Sequence, residues 1–276
     1  MIREAMMIDP KTDEVEALLR EASEMFIMPR FRALGDEEVV EKEGPMDLVT
    51  VADREAELFL TPQLEALVPG SKVIGEEAVS QGVTSADLLL EDRDLWLVDP
   101  VDGTYNFVQG SDRFGVMVAF LRGGQPVMSW ILLPVDGRCV IAQKGAGALL
   151  GGEAMVPRRG VPFSQATGDY SRTYVDEPYR SIFDAGAAHS AGTHQGRCSA
   201  HGYTELARGL QDYFVQYIMT PWDHAPGQLI VEETGGRFAL MPSGERYTPI
   251  PRENQPMLIT ADADVWQDYA QHLMAG

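Results

Sequence analysis

Cysteine and basic residues are scarce in this 276-residue chain. Two cysteines, Cys139 and Cys198, cannot build a disulfide framework, and neither stands in the paired spacing of a zinc site. Both are expected as reduced thiols in a cytoplasmic protein. Lysine and arginine total 22 against 42 acidic residues, a net charge of −20. Such a surface repels polyanions and argues against a nucleic-acid polymer as partner. It also repels any phosphorylated small molecule unless cations gather where that molecule binds. Apolar runs such as "FGVMVAFL", from Phe114, fall far short of the roughly 20 residues that span a bilayer. The opening "MIREAMMIDPKTDEV" lacks the apolar core of a signal peptide, so no membrane partner is expected. Repeats and low-complexity tracts are missing as well.

The remainder is ordinary for a globular protein: 45% hydrophobic and 23% charged residues, enough for one large domain or two intimate halves. Apolar spacing at Val15, Leu18, Leu19, Ala22, Met25 and Phe26 predicts a helix over 11–34. "TVAD" predicts a helix capped by Thr50 and running to about Leu67. "KVIGEE" reads as a strand entering an acidic turn, and "DLWLVDP" as a buried strand ending at Pro100. Strands with turns at Gly123-Gly124 and Asp136-Gly137 then form a meander, so this sheet is expected to be largely antiparallel. Beyond "GGEAMVPRRG", strands alternate with helices. Strands are expected at Ser171–Val175, "DYFVQYIM", "RFALM" and "MLIT". Helices are expected after Asp176, at Ser199–Leu210, from Asp223 to about Thr234, and from Ala263. The halves are thus 1–152, helices on a largely antiparallel sheet, and 153–276, an α/β half completing one compact unit. Met6, Met7, Met25 and Met28 read as fillers of core or helix-packing gaps.

Four acidic pieces sit at element boundaries. In "WLVDPVDGTYNF" a strand delivers Asp99 to its carboxyl end, and Pro100 stiffens the turn. Asp99, Asp102 and the Val101 carbonyl can then face one point, an oxygen set suited to hard divalent cations. Gly103 allows close approach to the backbone, and the N–H groups of Gly103 and Thr104 can hold phosphate oxygens. The plain alternative is a polar turn. "GEE" places Glu76 and Glu77 at another strand end, where the alternative is a solvated acidic turn. "PWDHAPG" places Asp223 at a helix start, where an N-cap is the alternative. Asp53 lies one turn into its helix and reads either as a capping-box acid or as the acceptor that orients the Thr104 hydroxyl.

Together, "DLVTVAD", "GEE", "DPVDGTYNF" and "PWDHAPG", from about residue 47 to 236, resemble the signature set of the inositol monophosphatase family of metal-dependent phosphatases. The resemblance implies a layered α-β-α-β-α sandwich. It implies metal ligands at Glu76, Asp99, Asp102, Asp223 and the Val101 carbonyl, with Glu77 one step behind them. It makes Asp53, Thr104 and Glu76 catalytic, gives Gly103 and Thr104 to the phosphate, and leaves Asp47 a structural role. Two or three Mg2+ ions are implied, with Mn2+ able to substitute, since every proposed ligand is oxygen. The ions generate hydroxide near neutral pH and neutralise the leaving oxygen. A homodimer and lithium sensitivity are implied as well.

The match departs at the substrate pocket. Gln216 stands where the family usually has a glutamate, and Arg197-Cys198-Ser199-Ala200 replaces its Gly-Ser/Thr-Ala-Ala stretch. Arg197, Cys198, Ser199 and Gln216 are therefore the expected substrate contacts. Arg197 either meets a second anionic group of the substrate or pairs with one of the many acids. Tyr105 stands where the family commonly has a threonine. His194 and His201 flank the altered stretch and read as surface residues, the alternative being that one of them reaches the substrate. The leading expectation is a magnesium-dependent phosphomonoesterase acting on a small polyol or sugar phosphate. The same chemistry on 3′-phosphoadenosine 5′-phosphate, fructose 1,6-bisphosphate or histidinol phosphate is the second reading. A non-catalytic regulatory protein that keeps the fold is the third.

Overall fold

The computed structural model describes residues 11–44 and 47–275. Met6 and Met7 lie outside the described residues. Helix α1 (Lys11–Ala22) buries Val15, Leu19 and Ala22 on one stripe. It gives way to a π-turn at Ser23–Ile27 and a 3-10 turn at Met28–Arg30. Pro29 has no N–H to continue the ladder, which is why the regular helix is shorter than 11–34. Met25 is 52% exposed, so it does not fill the core, whereas Met28 packs against it. A hairpin of β1 (Val39–Gly44) and β2 (Asp47–Thr50) follows. Its charge and its Gly-Pro pair hid it in the sequence. Helix α2 (Val51–Leu67) starts as read: the Asp53 carboxylate accepts the Thr50 N–H, and Thr50 Oγ1 accepts the Ala52 N–H.

Seven strands form the first sheet in sequence order: β3 (Lys72–Gly75), β4 (Leu95–Asp102), β5 (Gly115–Arg122), β6 (Gln125–Leu133), β7 (Arg138–Gln143), β8 (Gly147–Leu150) and β9 (Glu153–Ala154). Only β3 and β4 run parallel. Short helices α3 (Glu76–Ser80) and α4 (Thr104–Val108) leave the ends of β3 and β4. Both faces of this sheet are covered, so β4 is buried along its whole length and β5 as far as Leu121, with apolar residues filling β4 up to Val98. Trp96, Val98, Val116 and Val118 face α1 and α2, while Met117 points the opposite way.

The second sheet has the order β11-β10-β12-β14-β13, built from β10 (Thr167–Tyr170), β11 (Gly192–His194), β12 (Tyr213–Gln216), β13 (Arg237–Leu240) and β14 (Met257–Thr260). The strand expected at Ser171–Val175 lies earlier, at 167–170, and Arg172–Tyr174 form a 3-10 turn. The polar look of "TGDY" misled the reading: Asp169 is fully buried, accepting the Gly196 N–H. Helices α6 (Ser199–Ala207) and α7 (Pro221–Glu233) lie between the sheets, joining Met117, Ile131 and Val140 on one side to Phe214, Phe238 and Ile259 on the other. Helices α5 (Tyr179–Ala187) and α8 (Trp266–Met274) cover the outer face with Phe183, Trp266 and Tyr269 against Tyr213, Val215 and Leu258. The layers are therefore α-β-α-β-α. No helix among the described residues is long and apolar enough to cross a membrane.

The close packing of α6 on α7 depends on Gly227, since a Cβ there would overlap the buried ring of Tyr203. Gly227→Ala is expected to destabilise the protein by about 1–3 kcal/mol through overpacking. Chemical denaturation checks this, and an unchanged midpoint would show that the helices can separate without cost.

Candidate active site

The parallel register pairs Gly75 with Val98, so β3 and β4 end side by side. The next residues, Glu76 and Asp99, are thereby neighbours although 23 positions apart. Beyond Asp99 the pairing of β4 with β5 is interrupted until Asp102, an irregularity at Pro100-Val101 that bends the strand end. Helix α7 packs Trp222 and Ala225 onto Leu95, Leu97, Ala119 and Leu121, which brings its first turn to the same place. One carboxylate oxygen from each of Glu76, Asp99 and Asp223 lies within 4.8 Å of the others. Asp223 is not an N-cap: the cap is Thr220, whose hydroxyl donates to Asp223 Oδ2 at 2.6 Å.

Asp53 makes contacts on both sides. Its Oδ2 accepts from Thr50, and its Oδ1 lies 3.1 Å from Thr104 Oγ1. The Thr104 hydroxyl also reaches the Val101 carbonyl, at 2.9 Å. Gly103 caps α4 at φ 83°, where a Cβ would stand 2.9 Å from the Arg113 carbonyl and 3.2 Å from the Cys198 Cβ. Conformation and packing both require glycine there.

Asp102 lies outside the three-carboxylate cluster. Its Oδ1 accepts the Ser199 N–H at 3.1 Å; its Oδ2 accepts the Ala200 N–H at 2.7 Å and the Cys198 thiol at 2.8 Å. These donors oppose the burial that pushes its pKa up. Cys198 is thus turned toward Asp102 and is 5% exposed. Ser199 Oγ accepts from Gln216 Nε2 at 3.2 Å, which joins two of the expected pocket residues. Glu77 is buried and accepts from Lys42 Nζ at 2.6 Å.

Two residues at the site went unread. Lys42, on the hairpin, also donates to Glu76 Oε1 at 2.9 Å. Burial works against its charge, but Glu76 and Glu77 hold it protonated. Glu57, four residues after Asp53 on the same face of α2, accepts the N–H groups of Glu77 and Ala78 at 2.8 and 2.7 Å. That i, i+4 spacing was the available signal. His224, beside Asp223 in sequence, faces the core instead, between the Tyr203 hydroxyl and the Ile218 carbonyl. Burial pushes its pKa down to about 4, so it is neutral at pH 7. His201 is half-buried, and His194 leans toward the Asp169 carboxylate, 3.7 Å away.

Crowding shows in the titration of the acids. Burial pushes Asp99 and Asp223 far above the usual carboxylate range, and the neighbouring Glu76 and Asp102 carboxylates add to it. Glu76 is raised by burial and by Glu77, against the pull of Lys42. Asp53 is pushed up to about 7, chiefly by burial, with Thr50 opposing. A divalent cation removes this conflict, and an all-oxygen donor set fits a hard one such as Mg2+.

A model of the inositol monophosphatase family matches residues 10–269. The inositol-1-monophosphatase of Bacillus subtilis is 27% identical over 75% of this chain and 77% of its own. A fructose-1,6-bisphosphatase/inositol-1-monophosphatase of Thermotoga maritima is 28% identical over 72% and 73%. In structure, an IMPase of Thermotoga maritima superposes with a TM-score of 0.80 at 22% identity, covering 96% of this chain and 97% of that one. An IMPase/NADP phosphatase complexed with Mg2+ and phosphate gives 0.79 at 18% identity, covering 96% and 95%. With the motifs in one site, the layers in the same order and the family model spanning nearly the whole chain, this protein belongs to the inositol monophosphatase family and is a phosphomonoesterase.

Proposed function

We propose that the chain hydrolyses a small phosphorylated polyol or sugar of the inositol 1-phosphate kind. The observation that carries this is the convergence of Glu76, Asp99 and Asp223 beside the Asp53–Thr104 pair. These three carboxylates, the Val101 carbonyl and the lone pairs that Asp102 keeps free would hold two or three Mg2+ ions, with Mn2+ able to substitute. Bound there, the metal supplies positive charge for the phosphate and the leaving oxygen and lowers the pKa of water. Asp53 accepts a hydrogen bond from the Thr104 hydroxyl, which turns a Thr104 lone pair toward the attacking water. The water oxygen bonds to phosphorus as the ester P–O bond breaks, and one water proton ends on the leaving oxygen, so that the alcohol and inorganic phosphate are released. The N–H groups of Gly103 and Thr104 steady the phosphate. Gln216 and Ser199 offer neutral hydrogen-bonding groups to substrate hydroxyls. The halves 1–152 and 153–276 act as one unit, because Asp223 arrives from the second. Two buried free cysteines suit a cytoplasmic setting. A homodimer and lithium sensitivity rest on the family resemblance.

Phosphate release from a panel of esters, with and without Mg2+, tests this reading. Activity confined to nucleotide or bisphosphate esters would favour the second reading, which the varied names of the relatives support. No Mg2+-dependent release from any ester would favour a regulatory protein. Thr104→Ala is expected to lower kcat by roughly 10²-fold with KM changed less than about threefold, since it disturbs the nucleophile and spares the ligands. A change confined to KM would remove Thr104 from that role.

A further inference from the structure

Arg197 lies in a segment gripped by the site from both sides. Asn106 Nδ2, two residues past Thr104, donates to the Gly196 and Arg197 carbonyls at 2.9 and 3.2 Å. On the other side, Ser199 and Ala200 donate their N–H groups to Asp102. Within this segment Arg197 adopts φ 51°, left-handed backbone that costs any residue with a Cβ and that glycine adopts freely. Strain of this kind persists where the surrounding structure imposes it, and it clusters at functional sites. The other described non-glycine residue with positive φ, Arg32, bonds the Gly110 carbonyl through its Nε at 2.9 Å. The Arg197 Nε has no such partner: it is buried and makes no hydrogen bond. Among the described residues no carboxylate lies within 4.0 Å of its guanidinium, although acids outnumber bases 42 to 22. By contrast, its neighbour Arg113 is held by both oxygens of Glu205. The Arg197 guanidinium rests instead over the Tyr105 ring, 5.4 Å from its centre. Such stacking orients the planar fork and leaves its edge free for a bidentate anion.

We infer that Arg197, braced on Tyr105, is a specificity-determining residue that receives a second phosphate group of the substrate, so that the enzyme prefers a bisphosphorylated ester to the matching monophosphate. This rests on the phosphatase reading and narrows its substrate class. An uncharged polyol would leave the Arg197 guanidinium without a counter-ion, whereas a phosphate group supplies one. In so acidic a molecule, an unpaired cation stacked on Tyr105, the residue after Thr104, also draws the more highly charged substrate.

The test compares inositol 1-phosphate with inositol 1,4-bisphosphate, and fructose 1-phosphate with fructose 1,6-bisphosphate. The proteins are wild type, Arg197→Gly and Arg197→Lys. Glycine removes the side chain while relieving the backbone, so the variant is expected to fold. In at least one pair, wild type is expected to show kcat/KM about 10-fold higher for the bisphosphate. Arg197→Gly should erase that preference mainly through KM, lowering kcat/KM for the bisphosphate about 10-fold more than for the monophosphate, and Arg197→Lys should restore part of it. Equal losses on both members of each pair, or no preference in wild type, would overturn the inference and leave the phosphatase reading intact. Calorimetric titration of the same esters into Thr104→Ala, with and without Arg197→Gly, reads binding apart from turnover. Binding of the bisphosphate that ignores Arg197, or no binding at all, would also overturn it. An Arg197-dependent preference in binding, without hydrolysis of any ester by wild type, would overturn the phosphatase reading instead.

Discussion

Asp99→Asn is expected to lower kcat/KM by at least ~10³-fold while raising the melting temperature of the metal-free protein. The two effects have one origin. Asp99 is 2% exposed, with Glu76, Asp102 and Asp223 all raising its pKa. An amide of the same shape keeps an oxygen to accept the Val101 N–H that now bonds Asp99 Oδ1 at 3.0 Å. It removes the negative charge that would hold a cation and, when no cation is present, the carboxyl whose ionisation burial and its neighbours oppose. Opposite signs for activity and stability mark a ligand. A variant that loses both has simply damaged the strand end, and one that keeps wild-type activity removes Asp99 from the ligand set.

Removing divalent metal is expected to make stability depend steeply on pH. Asp53 and Glu57 are each pushed up to about 7, chiefly by burial, from ordinary values of 3.8 and 4.5. Asp99 and Asp223 shift in the same direction. Between pH 4 and 7 the native state therefore binds more protons than the unfolded chain. Stability falls as pH rises through this window, and the share due to Asp53 and Glu57 levels off above it. Asp53 and Glu57 alone suggest a loss on the order of a few kcal/mol, or about 5–10 °C in Tm for a chain of this size. Saturating Mg2+ should restore most of that loss at pH 7 and little at pH 4, because it binds the ionised native state. Thermal scans of chelator-treated protein at several pH values check both limbs. A metal-free Tm that rises from pH 4 to 7 would contradict the crowding inferred for these acids.

Sequence carried the site further than it carried the fold. Asp99, Asp102 and Thr104 lie within six consecutive residues, and Glu76 and Asp223 come in short stretches of unusual composition, so the acids could be picked out before any sheet was known. What brings Glu76 to Asp99 is a parallel register between strands separated by a helix and a loop, which no local pattern records. The β1–β2 hairpin was missed because its one functional cation, Lys42, sits among acids that look like solvent-facing charge. Strand β10 was displaced because a fully buried aspartate looks like a loop residue until its partner, the Gly196 N–H, is seen 27 positions away. Helix α2 was legible because its start is chemical: Thr50 and Asp53 satisfy each other within one turn. The turn of Cys198 toward Asp102 was not, since it needs two distant segments to be superimposed.

The double duty of Asp53 has a consequence for anyone reshaping this enzyme. One oxygen closes the first turn of α2 and the other faces the Thr104 hydroxyl, so selection for heat tolerance and selection for speed act on the same carboxylate. Asn would cap the helix almost as well, yet it would present an amide where the role proposed for Asp53 needs an anion. Directed evolution toward a hotter-running variant should therefore leave this position untouched and accumulate its changes elsewhere.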